Sequence, residues 1–426
     1  MRPYLFALTV LLLAHSAGHC DDTADKKQAQ AWVEQLRSKD VAKRRAAAKS
    51  LVGYCTEVNA GAVDVIPALI VALKDSDTSV RGLAADALGE IGPDAMAAVP
   101  TLISMLKDKN ATVRARAAFA LGGAGSASPA AVPALGHLLK DPDDDVRLNA
   151  VSALAEINTK ETLSLLITAL DDTSAGVRIN AASGVGTHGL DAQKAVPDLM
   201  RLLLDPFDGV RGQAAVALGE IGAEPAKVVP ALIPLLKDEH AGVRGDAARG
   251  LGSFGKDAKS AEKALTPLLR DSDTGVRVLA AEALWHIDGK LDPITSVLVA
   301  GLADKDEFVR GDAAHVIGLV GPGAKKLLPK LLPLLKDSNE GVRVHAAESI
   351  WRVDPSHKPA VGVLEAGLKC KDTMIRLEAV RVLGEMGPSA DAAKSLHALQ
   401  TDRHPEIRHA ATEALKKVDP TAKRGK

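Results

Sequence analysis

An arginine recurs along this 426-residue chain at positions 44, 81, 114, 147, 178, 211, 244, 277, 310, 343, 376 and 408. The first interval is 37 residues, with YCTEVNAG as a longer loop, and the rest are 31 to 33. A period of that length restricts the chain to a repeat array. Each period is one supersecondary unit that cannot bury its apolar face alone, so consecutive units must stack.

Aligned on the arginine, DSDTSVRGLAADALGEIG, DPDDDVRLNAVSALAEIN, DEHAGVRGDAARGLGSFG and DSNEGVRVHAAESIWRVD show what each position does. Ala stands three residues after the arginine in every unit, followed by more Ala or Val, with Leu, Ile or Val at seven. Apolar residues one before and three, four, seven and ten after the arginine make one helical stripe. The stripe is built on small residues in a chain that is 46% hydrophobic and only 2% aromatic, which suits closely spaced helices rather than one thick core. Before each arginine a second helical pattern runs, as in VPTLISMLKD, VPALIPLLKD and LPKLLPLLKD, with Pro at 67, 100, 133, 197, 230 and 329 in its early part. Asp77, Asn110, Asp143, Asp273 and Asn339 stand four before their arginines, where a side-chain oxygen caps the following helix. Each unit is therefore a helix pair, and the fold is all-α with about twelve pairs over residues 28–418.

The motif D-x-D-x-x-V-R-x-x-A-A-x-A-L-G-x-I-G resembles the HEAT-repeat superfamily, in particular the short HEAT-like repeat found in phycobilisome bilin lyases. The resemblance implies a right-handed α-solenoid whose second helices line the concave side. It also implies that the Asp six before each arginine and the arginine form a structural ladder within and between units, here with Asp75, Arg81, Asp108, Arg114, Asp271, Arg277, Asp337 and Arg343. An acid repeated in ten of twelve units, absent only at Ser38 and Cys370, is architecture rather than catalysis.

The residues that change from unit to unit carry the functional signal. Positions two, five and nine after the arginine share one face of the second helix, opposite the Ala stripe. That face is mild in early units and charged in later ones, where Glu282, His286, Asp312, His315, His345, Glu348 and Arg352 cluster as the candidate binding surface. Three His and three carboxylates on neighbouring helices leave open a metal or small-ligand site and a lyase-like or metal-dependent activity. Deoxyhypusine hydroxylase, a relative of the same repeat type, holds iron with His-Glu dipeptides, and no such dipeptide occurs here. Trp285 and Trp351 take a position, eight after the arginine, that is Gly in most units, and read as space-filling residues.

No catalytic residue is assigned: neither a phosphate-binding G-x-x-x-x-G-K-[ST] loop nor a Ser-His-Asp set is present, and no cofactor is expected. With 53 basic and 54 acidic residues no strong field favours nucleic acid, which leaves a protein or peptide on the concave face of a monomeric solenoid. Residues 1–20, MRPYLFALTVLLLAHSAGHC, have the layout of a signal peptide, with a basic start, a short apolar run and a small-residue box. The expectation is an exported protein, periplasmic or extracellular. Lipidation of Cys20 would add a membrane anchor, although His19 fits that motif poorly. Residues 419–426 form a basic tail.

Overall fold

A computed structural model describes residues 22–418, apart from 126–127, 371, 388–389 and 403. The signal-peptide layout, Cys20 and the basic tail lie outside the described residues. Every element among the described residues is helical, and the chain divides into two compact units, Met1–Leu202 and Leu203–Lys426. The first holds five second helices: Val41–Val58, Thr78–Ile91, Ala111–Gly123, Asp144–Ile157 and Ala175–Gly186. The second holds seven: Asp208–Ile221, Ala241–Ser253, Thr274–Asp288, Glu307–Val320, Glu340–Val353, Thr373–Glu385 and Pro405–Val418. The helix-pair repeat solenoid read from the sequence is the architecture found.

Local chemistry sets the element ends. Asp77, Asp143 and Asp273 accept backbone N–H groups of the first turn of the helices they precede, and Asn110 and Asn339 do the same. Pro67, Pro100 and Pro133 occupy the first turn of Ile66–Ala72, Val99–Met105 and Val132–Leu138. Pro230 departs from that expectation and sits inside Pro225–Leu232. A further Pro then opens a 3-10 segment in several later units, at Ile233–Lys237, Thr266–Arg270 and Leu332–Lys336, because it cannot supply the N–H an α-turn needs.

The Ala stripe is buried throughout, as at Ala280, Ala281, Ala313, Ala314, Ala346 and Ala347. Consecutive second helices nearly touch at several of the glycines that stand eight after the arginine. A Cβ on Gly219 would come within 2.7 Å of the Gly250 Cα, and one on Gly252 within 3.0 Å of the Ala283 Cα. At Trp285 and Trp351 an indole takes that place, and the repeat register sets Val316 and Val382 opposite. There the second helices stand farther apart: Thr274–Asp288 from Glu307–Val320, and Glu340–Val353 from Thr373–Glu385. Both Trp residues are half-buried, as expected of side chains filling a widened seam.

The ladder follows the same division. Arg244 donates from Nε and Nη2 to Asp271 Oδ2 and Oδ1, both at 2.8 Å, and from Nη1 to its own unit's Asp238 carbonyl at 2.9 Å. Arg81 and Asp108, Arg114 and Asp141, and Arg310 and Asp337 form equivalent rungs. The rungs from Arg277 and Arg343 are missing, and both belong to the Trp-bearing units. Arg277 turns to the Asp271 carbonyl at 2.6 Å and the Thr274 hydroxyl at 2.7 Å, and no ion pair joins it to Asp304. Arg343 faces a unit in which Cys370 replaces the Asp, and pairs with Glu340 on its own helix at 3.0 Å. Cys370 in turn donates its thiol to Glu340 Oε2 at 2.8 Å. These two arginines therefore bond within their units only, where the sequence reading has the ladder bond within and between units.

Candidate functional site

The second-helix face of Leu203–Lys426 carries all seven candidate residues, but they fall into two electrostatic groups. Glu348 is 2% exposed, and its Oε1 accepts from Arg352 Nη2 and Arg381 Nη2, both at 2.7 Å. Arg381 also donates to Glu378 at 3.0 Å and to Glu385 at 2.6 Å, and Arg352 reaches Glu385 at 3.4 Å. Burial opposes the charge on Arg381, yet the bonds to Glu378 and Glu348 outweigh it and raise its pKa. This network spans the widened seam after Trp351, where the rung from Arg343 is absent. His345 lies beside it, close over Gly311, and burial pushes its pKa down against the charges of Glu378 and Glu348. Glu348 and Arg352 thus tie helices together, while the sequence grouped them with exposed binding residues.

The other group runs along the second-helix face from Asp208–Ile221 to Glu307–Val320. His286 Nε2 lies 3.8 Å from Glu282 Oε1 on the same helix. Burial favours protonation of Glu282, but the His286 contact and the charges of His315 and Arg249 hold its pKa low. Asp312 is pushed up to about 6, first by burial and then by the Glu282 charge, with Arg249 opposing. Asp246 is raised by burial against Arg249, and Glu220 rises to about 7 for the same reason. Glu220, Asp246 and Asp312 have neither a hydrogen bond nor an ion pair among the described residues. Glu220 did not stand out in the sequence, because the ninth position of its unit lies before the charge-rich stretch begins.

Among the described residues no three of His, Cys, Asp and Glu gather in a geometry that would hold a metal ion. His286, His315 and His345 are spread over three helices; His286 and His315 both act on Glu282, whereas His345 faces Glu378 and Glu348. Cys55 and Cys370 are both buried free thiols, and burial raises them to about 12 and about 11.

The first unit holds a feature of another kind. An open cleft of about 260 Å³ lies among Asp86, Thr112, Ala115, Arg116, Phe119, Asp143, Asp145 and Asn149. Arg116 pairs with Asp86 at 3.1 Å, and Phe119 is 42% exposed. The sequence pointed away from this region because its charges are few. What opens it is the shortness of Ala115 and of two glycines in the preceding helix, Gly82 and Gly89.

A family model for HEAT repeats matches residues 29–99, 99–186, 163–252, 229–318, 262–350 and 328–416. The chain is a HEAT-repeat protein. As such it is a helical scaffold presenting a protein-binding surface. The match is to HEAT repeats in general and does not single out the bilin lyase type. A crystal structure of an engineered protein from a structural genomics consortium is similar to this HEAT-repeat chain at 25% identity, covering 76% of it and 98% of the engineered chain, with a TM-score of 0.47. No curated protein matches it.

Proposed function

We propose that this HEAT-repeat protein is a non-catalytic scaffold that binds a protein or peptide segment on the second-helix face of residues 203–426. One observation carries the reading: Glu220, Asp246 and Asp312 are drawn from water onto a shared face without hydrogen-bond partners, with Arg249 the guanidinium whose charge acts on all three. Unpaired, half-buried carboxylates cost folding free energy, and a partner's donors would offset that cost on binding. Glu282, His286 and His315 border the same patch, whereas Glu348 and Arg352 belong to the network between Glu340–Val353 and Thr373–Glu385. We further propose that the chain is exported, on the layout of residues 1–20, which mass spectrometry of the mature N-terminus will read directly, including any lipid on Cys20.

Benzoylphenylalanine placed at His286 in the full chain, expressed in the source cells, tests the binding reading. A cross-linked partner species is expected, and the Glu220→Gln, Asp312→Asn double variant should lower its yield at least fivefold while raising the thermal midpoint. Unchanged yield from the stabilised variant overturns the assignment of this face. Reversing Glu348 would be a poor probe, since it breaks a buried network and reports on folding.

A further inference from the structure

The repeat supplies its own template for the cleft in the first unit. Arg45, the residue after Arg44, donates from Nε to Asp77 Oδ1 at 2.9 Å and from Nη2 to Asp77 Oδ2 at 2.6 Å. Asp77 does this while capping Thr78–Ile91, its Oδ1 also accepting the N–H groups of Ser79 and Val80. An N-cap carboxylate of this fold thus accepts a bidentate guanidinium from the residue that follows the preceding unit's ladder arginine. The Arg45 bond, against some desolvation, holds Asp77 at a pKa of about 2.

Two units later the same two positions are Ala115 and Asp143. Asp143 caps Asp144–Ile157 in the same manner, its Oδ1 accepting from Asp145 and Val146 at 3.1 and 3.2 Å. No guanidinium stands at that position here, and Ala115 and Asp143 both line the cleft. The cleft walls are fixed. A Cβ on Gly82 would come within 2.9 Å of Arg116 Cδ, and one on Gly89 within 2.7 Å of Phe119 Cε1, so both side chains seat where glycine leaves room. Asp86 pins Arg116, and Asn149 is turned away onto the Asp145 carbonyl at 2.8 Å. That leaves Asp143 and the exposed Asp145 beside a half-exposed aromatic ring, a combination of charge and π-face that suits a planar cation.

We propose that this cleft, formed by Thr78–Ile91, Ala111–Gly123 and Asp144–Ile157, is a guanidinium site that takes an arginine side chain of the bound partner segment. The guanidinium forks onto the Asp143 carboxylate as Arg45 does onto Asp77, with Phe119 flanking its face. The proposal rests on the reading that the second helices carry a peptide, and it places a specificity-determining contact in the first unit.

The full chain labelled with 4-fluorophenylalanine gives few fluorine resonances, since it has five Phe, and Phe119→Leu identifies the one at the cleft. Titration with N-acetyl-arginine amide should shift that resonance saturably, with N-acetyl-citrulline amide and N-acetyl-lysine amide at least tenfold weaker. Asp143→Asn keeps the cap, as Asn110 and Asn339 do in this chain, and should weaken binding at least tenfold. Ala115→Arg should abolish it by supplying the guanidinium from within. Equal response to citrulline or lysine, or unchanged binding in both variants, overturns the proposal. Because no partner is needed, that result removes the cleft alone, whereas unchanged cross-linking from His286 removes the broader reading.

Discussion

Two kinds of seam join the second helices of residues 203–426, and they differ in what does the joining. At a tight seam, such as that between Asp208–Ile221 and Ala241–Ser253, Gly219 lets backbones nearly touch and Arg211 closes a bidentate rung on Asp238. At a wide seam an indole replaces the glycine, the rung is lost, and charged side chains of the opposite face occupy the space. The lesson is that a repeat array trades backbone proximity for side-chain variety one joint at a time. The framework is uniform at the tight seams and departs from uniformity at the two that carry Trp.

The largest expected effect comes from breaking the wide seam that is fully bridged. Arg381→Met deprives Glu378 of its arginine and leaves buried Glu348 with Arg352 alone, and should cost about 3–5 kcal/mol in urea unfolding of the full chain. A loss under 1 kcal/mol would mean the network does not hold those helices. The rungs offer a direct contrast. Arg244→Met removes a bidentate pair and should cost about 1.5–3 kcal/mol, while Arg277→Met, which has no Asp partner, should cost about 1 kcal/mol or less. Equal losses would erase the distinction between the two seams.

A further effect has the opposite sign and depends on pH. Folded Asp312 sits at about 6, above the ordinary value near 4, so between those limits the folded chain holds a proton the unfolded chain has released. Stability from this group falls as pH rises from about 4 to about 6, and the cost is complete above that. Asp312→Asn should therefore stabilise by about 1–2 kcal/mol at pH 7.5 and by nothing near pH 4. A pH-independent gain would assign the effect to packing instead. Asp271 and Asp337 behave in the reverse sense: their arginine bonds lower their pKa values, and the stability they supply is lost as pH falls below about 4.

Much of this was legible in the sequence, because a repeat is its own alignment. The twelve arginines located every second helix, and the Asp or Asn four before them located the caps that Asp77 and Asn339 form. The rungs were legible as a type, but not which would be missing. Thr274 takes the Arg277 Nη2 that in other units reaches the next Asp, and a residue code carries no inter-helix distance. Glu348 was misjudged for a related reason: its position faces outward in the repeat, yet Arg352 and Arg381 fold over it. The cleft escaped notice since its cause is missing bulk at Gly82, Gly89 and Ala115.

The two Trp-widened joints also bear on how the second unit comes apart. In a linear array each block is stabilised by its neighbours, so cooperativity is only as long as the run of strong interfaces. Weak joints after Trp285 and Trp351 mark out three blocks, ending near residues 288 and 353, each held together by close glycine contacts and rungs. Native-state hydrogen exchange should show the block from Pro405–Val418 back to Thr373–Glu385 opening at lower free energy than its neighbours. Uniform protection across all seven helices would show instead that the charged network of Arg381 transmits folding across the gap as well as a rung does.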